Sequence, residues 1–346
     1  MQSLNDKITG AISLGLLQLE APEFILSNLR EGYGQRPYQI EAFSRFIFYI
    51  NNDKFRTKPT QLLFHMATGS GKTLVMAGCI LYLYQKGYRN FIFFVNSLNI
   101  IEKTRDNFLN ANSSKYLFSD TISFGDKKVR IKEVENFQTA NQNDINIVFT
   151  TIQGLHSRLN TPKENQLTYD DFVDKNIVLI SDEAHHINAE TKKRADLSKE
   201  EVEEVISWEG TVNKIFRANN ENILLEFTAT ADLSDPEIGK KYFDKLIFDY
   251  PLKQFRADGY SKEVKVLQAD LSEIDRALQG IVLSQYRRKV FEKNKIRIKP
   301  VILFKSKTIK ESQAFYEKFI TTVKNLKPVH LEKIKKCNTN PVIKKA

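Results

Sequence analysis

Cysteine is scarce in this chain: Cys79 and Cys337 are the two among 346 residues. They stand far apart, with no CxxC and no Cys/His ligand spacing, which excludes a disulfide framework or zinc site and leaves reduced thiols as the expectation. Long apolar runs are missing as well. No stretch approaches the roughly 20 residues that span a bilayer. The N-terminus carries Asp6, Lys7 and Glu20 around the short apolar stretch Ala11–Leu19, without a basic n-region or a small-residue cleavage site. It reads as a helix and not a signal peptide, so a cytoplasmic protein with no membrane partner is expected. Low-complexity tracts and short-period repeats are also absent. Acidic residues are in the minority, 42 against 52 Lys and Arg, for a net charge of +10. That balance suits a polyanion held through its phosphates without specifying one. Against these absences stand 24 Phe and 13 Tyr, large side chains that predict an aromatic-rich, packed interior.

Short runs rich in β-branched and aromatic residues recur at Leu62–Phe64, Phe91–Val95, Ile145–Thr150, Ile177–Ile180 and Ile223–Phe227. Strands buried on both faces have this pattern. Helix-period segments, Thr73–Tyr88 and Ile100–Leu109, follow the first two. Alternation of this kind predicts an α/β fold: a parallel sheet with right-handed crossovers and helices on both faces. Two polar excursions interrupt it, Asn110–Asn143 and Ala189–Asn222. Within the second, Leu197–Trp208 has a helical pattern opening at Ser198 with Glu201 at capping-box spacing. The pattern loosens through Asp235–Gly259 before a strand-like run at Val264–Leu267. Then come a helical segment, Ile274–Lys293, an apolar strand, Val301–Phe304, and a polar helix, Ile309–Phe319. The expected organisation is a helical segment over residues 1–30, a main domain over 31–255, and a linker with a partial second α/β domain over 256–346. The basic, poorly patterned tail from Lys324 is expected to fray.

The run Met66-Ala67-Thr68-Gly69-Ser70-Gly71-Lys72-Thr73 follows a predicted strand and opens a predicted helix, the context a phosphate-binding loop requires. Gly69 and Gly71 let backbone N–H groups turn toward one point. With the helix N-terminus they can surround the phosphates of a nucleotide. Thr68 and Ser70 belong to the same cradle, Lys72 would reach the β- and γ-phosphates, and Thr73 would offer its hydroxyl to Mg²⁺. A strict pattern opens with glycine where this chain has Met66.

About 110 residues beyond Lys72, the run Ile177–Ile180 ends in Ser181-Asp182-Glu183-Ala184-His185-His186. Two carboxylates thus stand at the carboxyl end of a buried strand, on the sheet edge where ligands bind. Asp182 can hold Mg²⁺ through water, and Glu183 can orient and deprotonate the water that attacks the γ-phosphate. His185 could relay between the acidic pair and Phe227-Thr228-Ala229-Thr230. The hydroxyls of Thr228 and Thr230 can bond the neighbouring strand end and couple hydrolysis to movement. His186 reads as structural. Gln39, in Arg36-Pro37-Tyr38-Gln39, carries the donor and acceptor needed to read an adenine edge.

This ordered set resembles superfamily 2 helicases and translocases of the DEAH-box type. Arg36–Gln39 looks like the Q motif, Met66–Thr73 motif I, Asp182–His185 motif II and Thr228–Thr230 motif III. Phe94–Ser97, Val148–Thr151 and Val301–Ser306 match the positions of motifs Ia, Ib and IV. The resemblance implies a RecA-like ATP-binding domain, the start of a second one, and ATP with Mg²⁺. It also implies nucleic-acid backbone contacts from Asn96, Ser97, Thr150 and Thr151, with Lys103 and Arg105 nearby. The Asn96–Thr104 and Leu224–Asp232 segments look most like the motor subunit of type III restriction endonucleases. That would imply double-stranded DNA, a DNA methyltransferase partner and a nuclease domain farther along a longer chain. No match to motifs V and VI follows Ser312, and Arg287-Arg288 precedes motif IV, so it is not the arginine finger of motif VI. Loss of such an arginine costs on the order of 10³–10⁵ in rate, so a chain that binds nucleotide weakly and hydrolyses it poorly is expected. Two other readings stay open: a nucleotide-gated nucleic-acid-binding module without turnover, and an RNA remodeller of the same superfamily.

Overall fold

The structure is a computed structural model. It describes residues 2–138, 140–161, 167–183, 199–262, 266 and 271–337, and for 199–206, 333, 335 and 337 the backbone alone. The chain divides into two compact units, Met1–Lys262 and Glu263–Ala346.

The first unit opens with α1 (Leu4–Ser13), α2 (Glu23–Leu26) and α3 (Pro37–Asn51). A Ser3–Asp6 capping box starts α1 and Pro37 starts α3, the position where proline's missing N–H costs nothing. Next come β1 (Thr60–Met66), α4 (Lys72–Gln85), β2 (Asn90–Val95) and α5 (Leu98–Leu109). The first polar excursion forms a hairpin, β3 (Ile122–Phe124) with β4 (Lys127–Val129), and a short strand, β5 (Ile131–Glu133). Then follow β6 (Ile145–Thr151), α6 (Ile152–Asn160), β7 (Ile177–Asp182), α7 (Lys199–Arg217) and β8 (Ile223–Thr228). The unit closes with α8 (Pro236–Tyr242), β9 (Leu246–Tyr250) and α9 (Leu252–Ala257). The loosened stretch after Asp235 therefore holds a strand and two short helices.

Seven strands form one sheet in the order β5-β6-β2-β7-β8-β1-β9, and every pairing in it is parallel. The five strands expected from the sequence form its interior and are buried almost throughout. Alternate residues serve opposite faces. Phe91, Phe93 and Val95 pack with α3, α4 and α5 in the larger core, while Ile92 and Phe94 pack with α6 and α7 in the other. Helix α4 is buried nearly all round, because α3 covers the side that the sheet does not. The approach is close: a Cβ at Gly78 would overlap the Phe43 ring. That contact holds the middles of α3 and α4 together, and at the start of α3 residues 38 and 39 reach the phosphate loop.

The second unit contains α10 (Glu273–Lys293), α11 (Ile309–Lys324) and α12 (Pro328–Cys337), around a small core of Leu278 and Ile334. The stretch expected as a strand, Val301–Phe304, makes no ladder among the described residues, and Val301 and Leu303 are 87% and 90% exposed. A strand is held by its neighbour's backbone, and the run expected beside it, Val264–Leu267, lies outside the described residues except for Val266. Phe304 instead packs on Phe315 and Phe319 of α11.

Candidate nucleotide and nucleic-acid site

The phosphate loop joins β1 to α4. Gly69 and Gly71 have φ of +83° and +88°, left-handed values that only glycine adopts at little cost. Gly71 is the N-cap of α4, and no side chain caps that helix, so its first N–H groups remain available to an anion. Thr68 and Gly69 are exposed at the loop crest, Ser70 is buried, Lys72 is 9% exposed, and Thr73 is half-buried in the first turn.

Strand β7 delivers Asp182 to the same sheet edge. In register, Asp182 lies opposite Phe227 of β8, and Thr228 lies opposite His65 of β1, so β8 separates the loop strand from the acidic strand. Asp182 is 9% exposed. Burial raises its carboxyl to about 6 and the neighbouring Glu183 adds to the rise, while Lys72 and the Glu183 N–H oppose it. Lys72 is thus near enough to favour the charged form of Asp182, at the edge where β8 lies between their strands. Glu183 is half-buried, its N–H donates to Asp182 Oδ1 at 3.0 Å, and its φ is +56°. That backbone is strained for a residue with a Cβ, and strain of this kind gathers at functional sites. His185 and His186 lie outside the described residues.

Thr228 is buried and its Oγ1 accepts from the Thr230 N–H at 3.3 Å, whereas Thr230 is exposed. Two residues earlier on β8, the buried Glu226 accepts from Gln61 Nε2 at 2.7 Å and Tyr242 Oη at 3.1 Å. One step before Met66, the buried His65 places Nδ1 2.8 Å from Asp249 Oδ1. Neither network announces itself in the sequence, because the first joins isolated polar residues on two strands and a helix and the second joins two on separate strands.

Gln39 is 4% exposed and its Nε2 donates to the Ser70 carbonyl at 3.1 Å; Tyr38 Oη donates to the same carbonyl at 2.9 Å. The Q-motif segment thus braces the phosphate loop. Around Tyr38 gather Tyr250, Phe255 and Tyr260, which sequence reading missed. Tyr38 and Tyr260 lie 222 positions apart (260 − 38), and no local pattern links them.

The four residues expected on nucleic acid also come together. Strands β2 and β6 are neighbours, with Phe94 opposite Thr150 and Val95 opposite Thr151, so Asn96, Ser97, Thr150 and Thr151 end adjacent strands at the same sheet edge as the phosphate loop. Asn96 and Ser97 are half-buried, and Ser97 caps α5 without a side-chain bond. Thr150 is buried and donates to the Thr151 carbonyl at 3.1 Å, and Thr151 caps α6 by accepting from the Gly154 N–H at 2.9 Å. Lys103 is exposed, and Arg105 pairs with Glu133 at 2.8 Å.

Among the described residues no group of three or more His, Cys, Asp or Glu side chains gathers as a metal cage. Mg²⁺ on nucleotide phosphates needs no such cage, since one or two carboxylates with the phosphates and water suffice. Asp182 and Thr73 fit that donor set. No helix of the described residues is long and apolar enough to cross a membrane.

Residues 33–233 match the family model described as "Type III restriction enzyme, res subunit". A Haemophilus influenzae protein described as "Probable type III restriction-modification enzyme HindVIP Res subunit" is 40% identical over 331 residues, covering 89% of this chain and 63% of that protein. The chain therefore spans less than two thirds of that relative's length. Among solved structures, the "ATP-dependent Type ISP restriction-modification enzyme LlaBIII bound to DNA" is similar in fold, with a TM-score of 0.51, 15% identity, and coverage of 84% of this chain and 21% of that one.

Proposed function

The chain belongs to the family of type III restriction enzyme Res subunits, with a helicase-like α/β fold, and we propose that it carries the ATP-binding half of a DNA-translocating motor. Its substrates would be Mg²⁺–ATP and double-stranded DNA, and its partner a DNA methyltransferase subunit. One observation supports this most: Lys72, just beyond β1, and Asp182, at the end of β7, are both buried at one sheet edge on either side of β8, beside a loop of two left-handed glycines.

In this reading the N–H groups of the loop and of the first turn of α4 bind the phosphates, and Lys72 neutralises charge at the β- and γ-positions. Thr73 and Asp182 would hold Mg²⁺, which when bound would supply positive charge beside the phosphates. Glu183 orients the attacking water and accepts its proton. Thr228 couples the acidic strand end to the rest of the edge. Asn96, Ser97, Thr150 and Thr151 track the DNA backbone, fixing register without reading sequence. His185 is proposed as the relay between the acidic pair and Thr228. Gln39 braces the loop and is proposed to reach the adenine from there.

Equilibrium binding of Mg²⁺–ATP, compared with Lys72→Ala, tests the nucleotide site. The expected result is binding that the substitution weakens at least tenfold; equal affinity for the two proteins would refute it. For DNA, log affinity for a duplex should fall linearly with log salt, and preference for RNA over duplex DNA would overturn the DNA reading.

A further inference from the structure

We infer that Tyr38 is a positioning residue for the phosphate loop, and that Tyr260 and Arg36 act on the loop through it. This rests on the nucleotide reading of that loop. The Ser70 carbonyl accepts two bonds, from Tyr38 Oη at 2.9 Å and Gln39 Nε2 at 3.1 Å, which fill the two lone pairs of one oxygen. In a planar trans peptide, C=O and N–H point in opposite directions. Holding the Ser70 oxygen toward residues 38 and 39 therefore aims the Gly71 N–H away from them, as one of the donors that meet phosphate. Backbone bonds hold the peptides on either side, Ser70 N–H to the Ala67 carbonyl at 3.2 Å and Leu74 N–H to the Gly71 carbonyl at 2.9 Å. The peptide between them is held by the two side chains of residues 38 and 39, and glycine's freedom at 71 makes that hold matter.

Tyr38 is itself held on every side. Arg36 Nη1 donates to its Oη at 3.1 Å. Its ring stacks on Tyr250 with centroids 4.5 Å apart and 14° between planes, meets the edge of Tyr260 at 5.1 Å, and meets Phe255 at 5.9 Å. Tyr250 braces the loop directly as well, its carbonyl accepting from the Ala67 N–H at 2.9 Å. Burial pushes the Tyr38 phenol above its ordinary value, so it stays a donor. The side of this cluster open to solvent is Tyr260, 39% exposed, with the Arg36 guanidinium 5.4 Å from its ring centroid. Tyr260 stands two residues before the last residue of the first unit, Lys262. The state of that terminal segment is thereby felt at Ser70, through one ring and one hydroxyl.

A base-stacking role for Tyr260 would also link it to nucleotide, so the test uses a ligand without a base. Affinities for Mg²⁺–ADP and for Mg²⁺–pyrophosphate are measured on residues 1–346 for the wild type, Tyr38→Phe, Tyr260→Ala, Tyr260→Phe and the Tyr38→Phe/Tyr260→Ala double variant, with thermal unfolding as the folding control. Tyr38→Phe keeps the ring and Tyr260→Phe keeps the stacking, so at least one informative variant retains the packing. Tyr38→Phe and Tyr260→Ala should each weaken both ligands by the same factor, about threefold to tenfold, as expected for one neutral hydrogen bond. Tyr260→Phe should stay within about twofold of wild type, and the double variant should be little weaker than the worse single one, because the two act in series. Weakening of ADP alone by Tyr260→Ala, unchanged affinities, or fully multiplicative effects would overturn the inference. A wild type that binds neither ligand would instead remove the nucleotide reading on which it rests.

Discussion

Replacing Gly71 by alanine tests the geometry of the phosphate loop without removing any functional group. At φ +88° a Cβ costs on the order of 1–2 kcal/mol. Space adds a second cost: an ideal Cβ at residue 71 would lie 2.7 Å from Gln39 Nε2. Gln39 is 4% exposed and engaged with Ser70, so it moves only by giving up that bond, about another 1 kcal/mol. The total is about 2–3 kcal/mol. Gly69 is the control, because its φ is +83° but nothing lies within 4 Å of its ideal Cβ, which leaves the backbone cost alone. Urea unfolding followed by fluorescence of Trp208, the single tryptophan, reports on the first unit, where that residue packs against the α6–α7 core. With a slope near 3 kcal/mol per molar, Gly71→Ala should lower the midpoint by about 0.8 M and Gly69→Ala by about half as much. Adding Gln39→Ala to Gly71→Ala should cost less than Gln39→Ala costs alone. Equal midpoints for the two glycine variants, or strictly additive effects of residues 39 and 71, would refute the reasoning.

Further outcomes are expected at three residues. The Asp182 carboxyl, raised to about 6 by burial, keeps its proton in the folded metal-free protein when the unfolded chain has lost it. Its contribution is thus full below about pH 4 and falls as pH rises to about 6, by about 3 kcal/mol at most; in chelator, Asp182→Asn should flatten that part of the stability profile, and an unchanged profile would count against it. In the proposed reading, Glu183→Gln should remove whatever Mg²⁺–ATP hydrolysis the wild type shows while leaving nucleotide binding by equilibrium titration within a few-fold, and Glu183→Gly should raise the denaturation midpoint by relieving the backbone at φ +56°. Glu226→Ala leaves Gln61 and Tyr242 without the carboxylate that accepts from both, so it should cost about 2–4 kcal/mol in chemical unfolding against about 1 for Glu226→Gln.

What could be read in the chain before its structure follows from how each part is buried. Strands β1, β2, β6, β7 and β8 are covered on both faces, so they appear as unbroken β-branched and aromatic runs. The edge strands do not. In β9, Leu246 and Asp249 are less than fully buried, and the five residues Leu246–Tyr250 sit among lysines and prolines that suggest a loop. β5 pairs for three residues, two of them charged. The carboxyl end of the sheet is legible because the phosphate loop and the acidic pair are each contiguous in sequence. The brace around Tyr38 is not, since its ring contacts come from positions 250, 255 and 260 and become neighbours only when β9 pairs with β1.

The strand order β7-β8-β1 fixes one further quantity. Adjacent strands in a sheet are held about 4.8 Å apart by their backbone hydrogen bonds, so with a single strand between them β1 and β7 stand about 10 Å apart. β8 is in effect a spacer of molecular width, and the phosphate loop and the acidic pair are the jaws of a gauge whose opening no side chain determines. Substitutions along β8 can weaken the sheet, but they cannot widen the opening without breaking the ladder. In the proposed reading, phosphate and hydrated cation would therefore meet a clearance set by the backbone ladder of β8 and kept when side chains along that strand change.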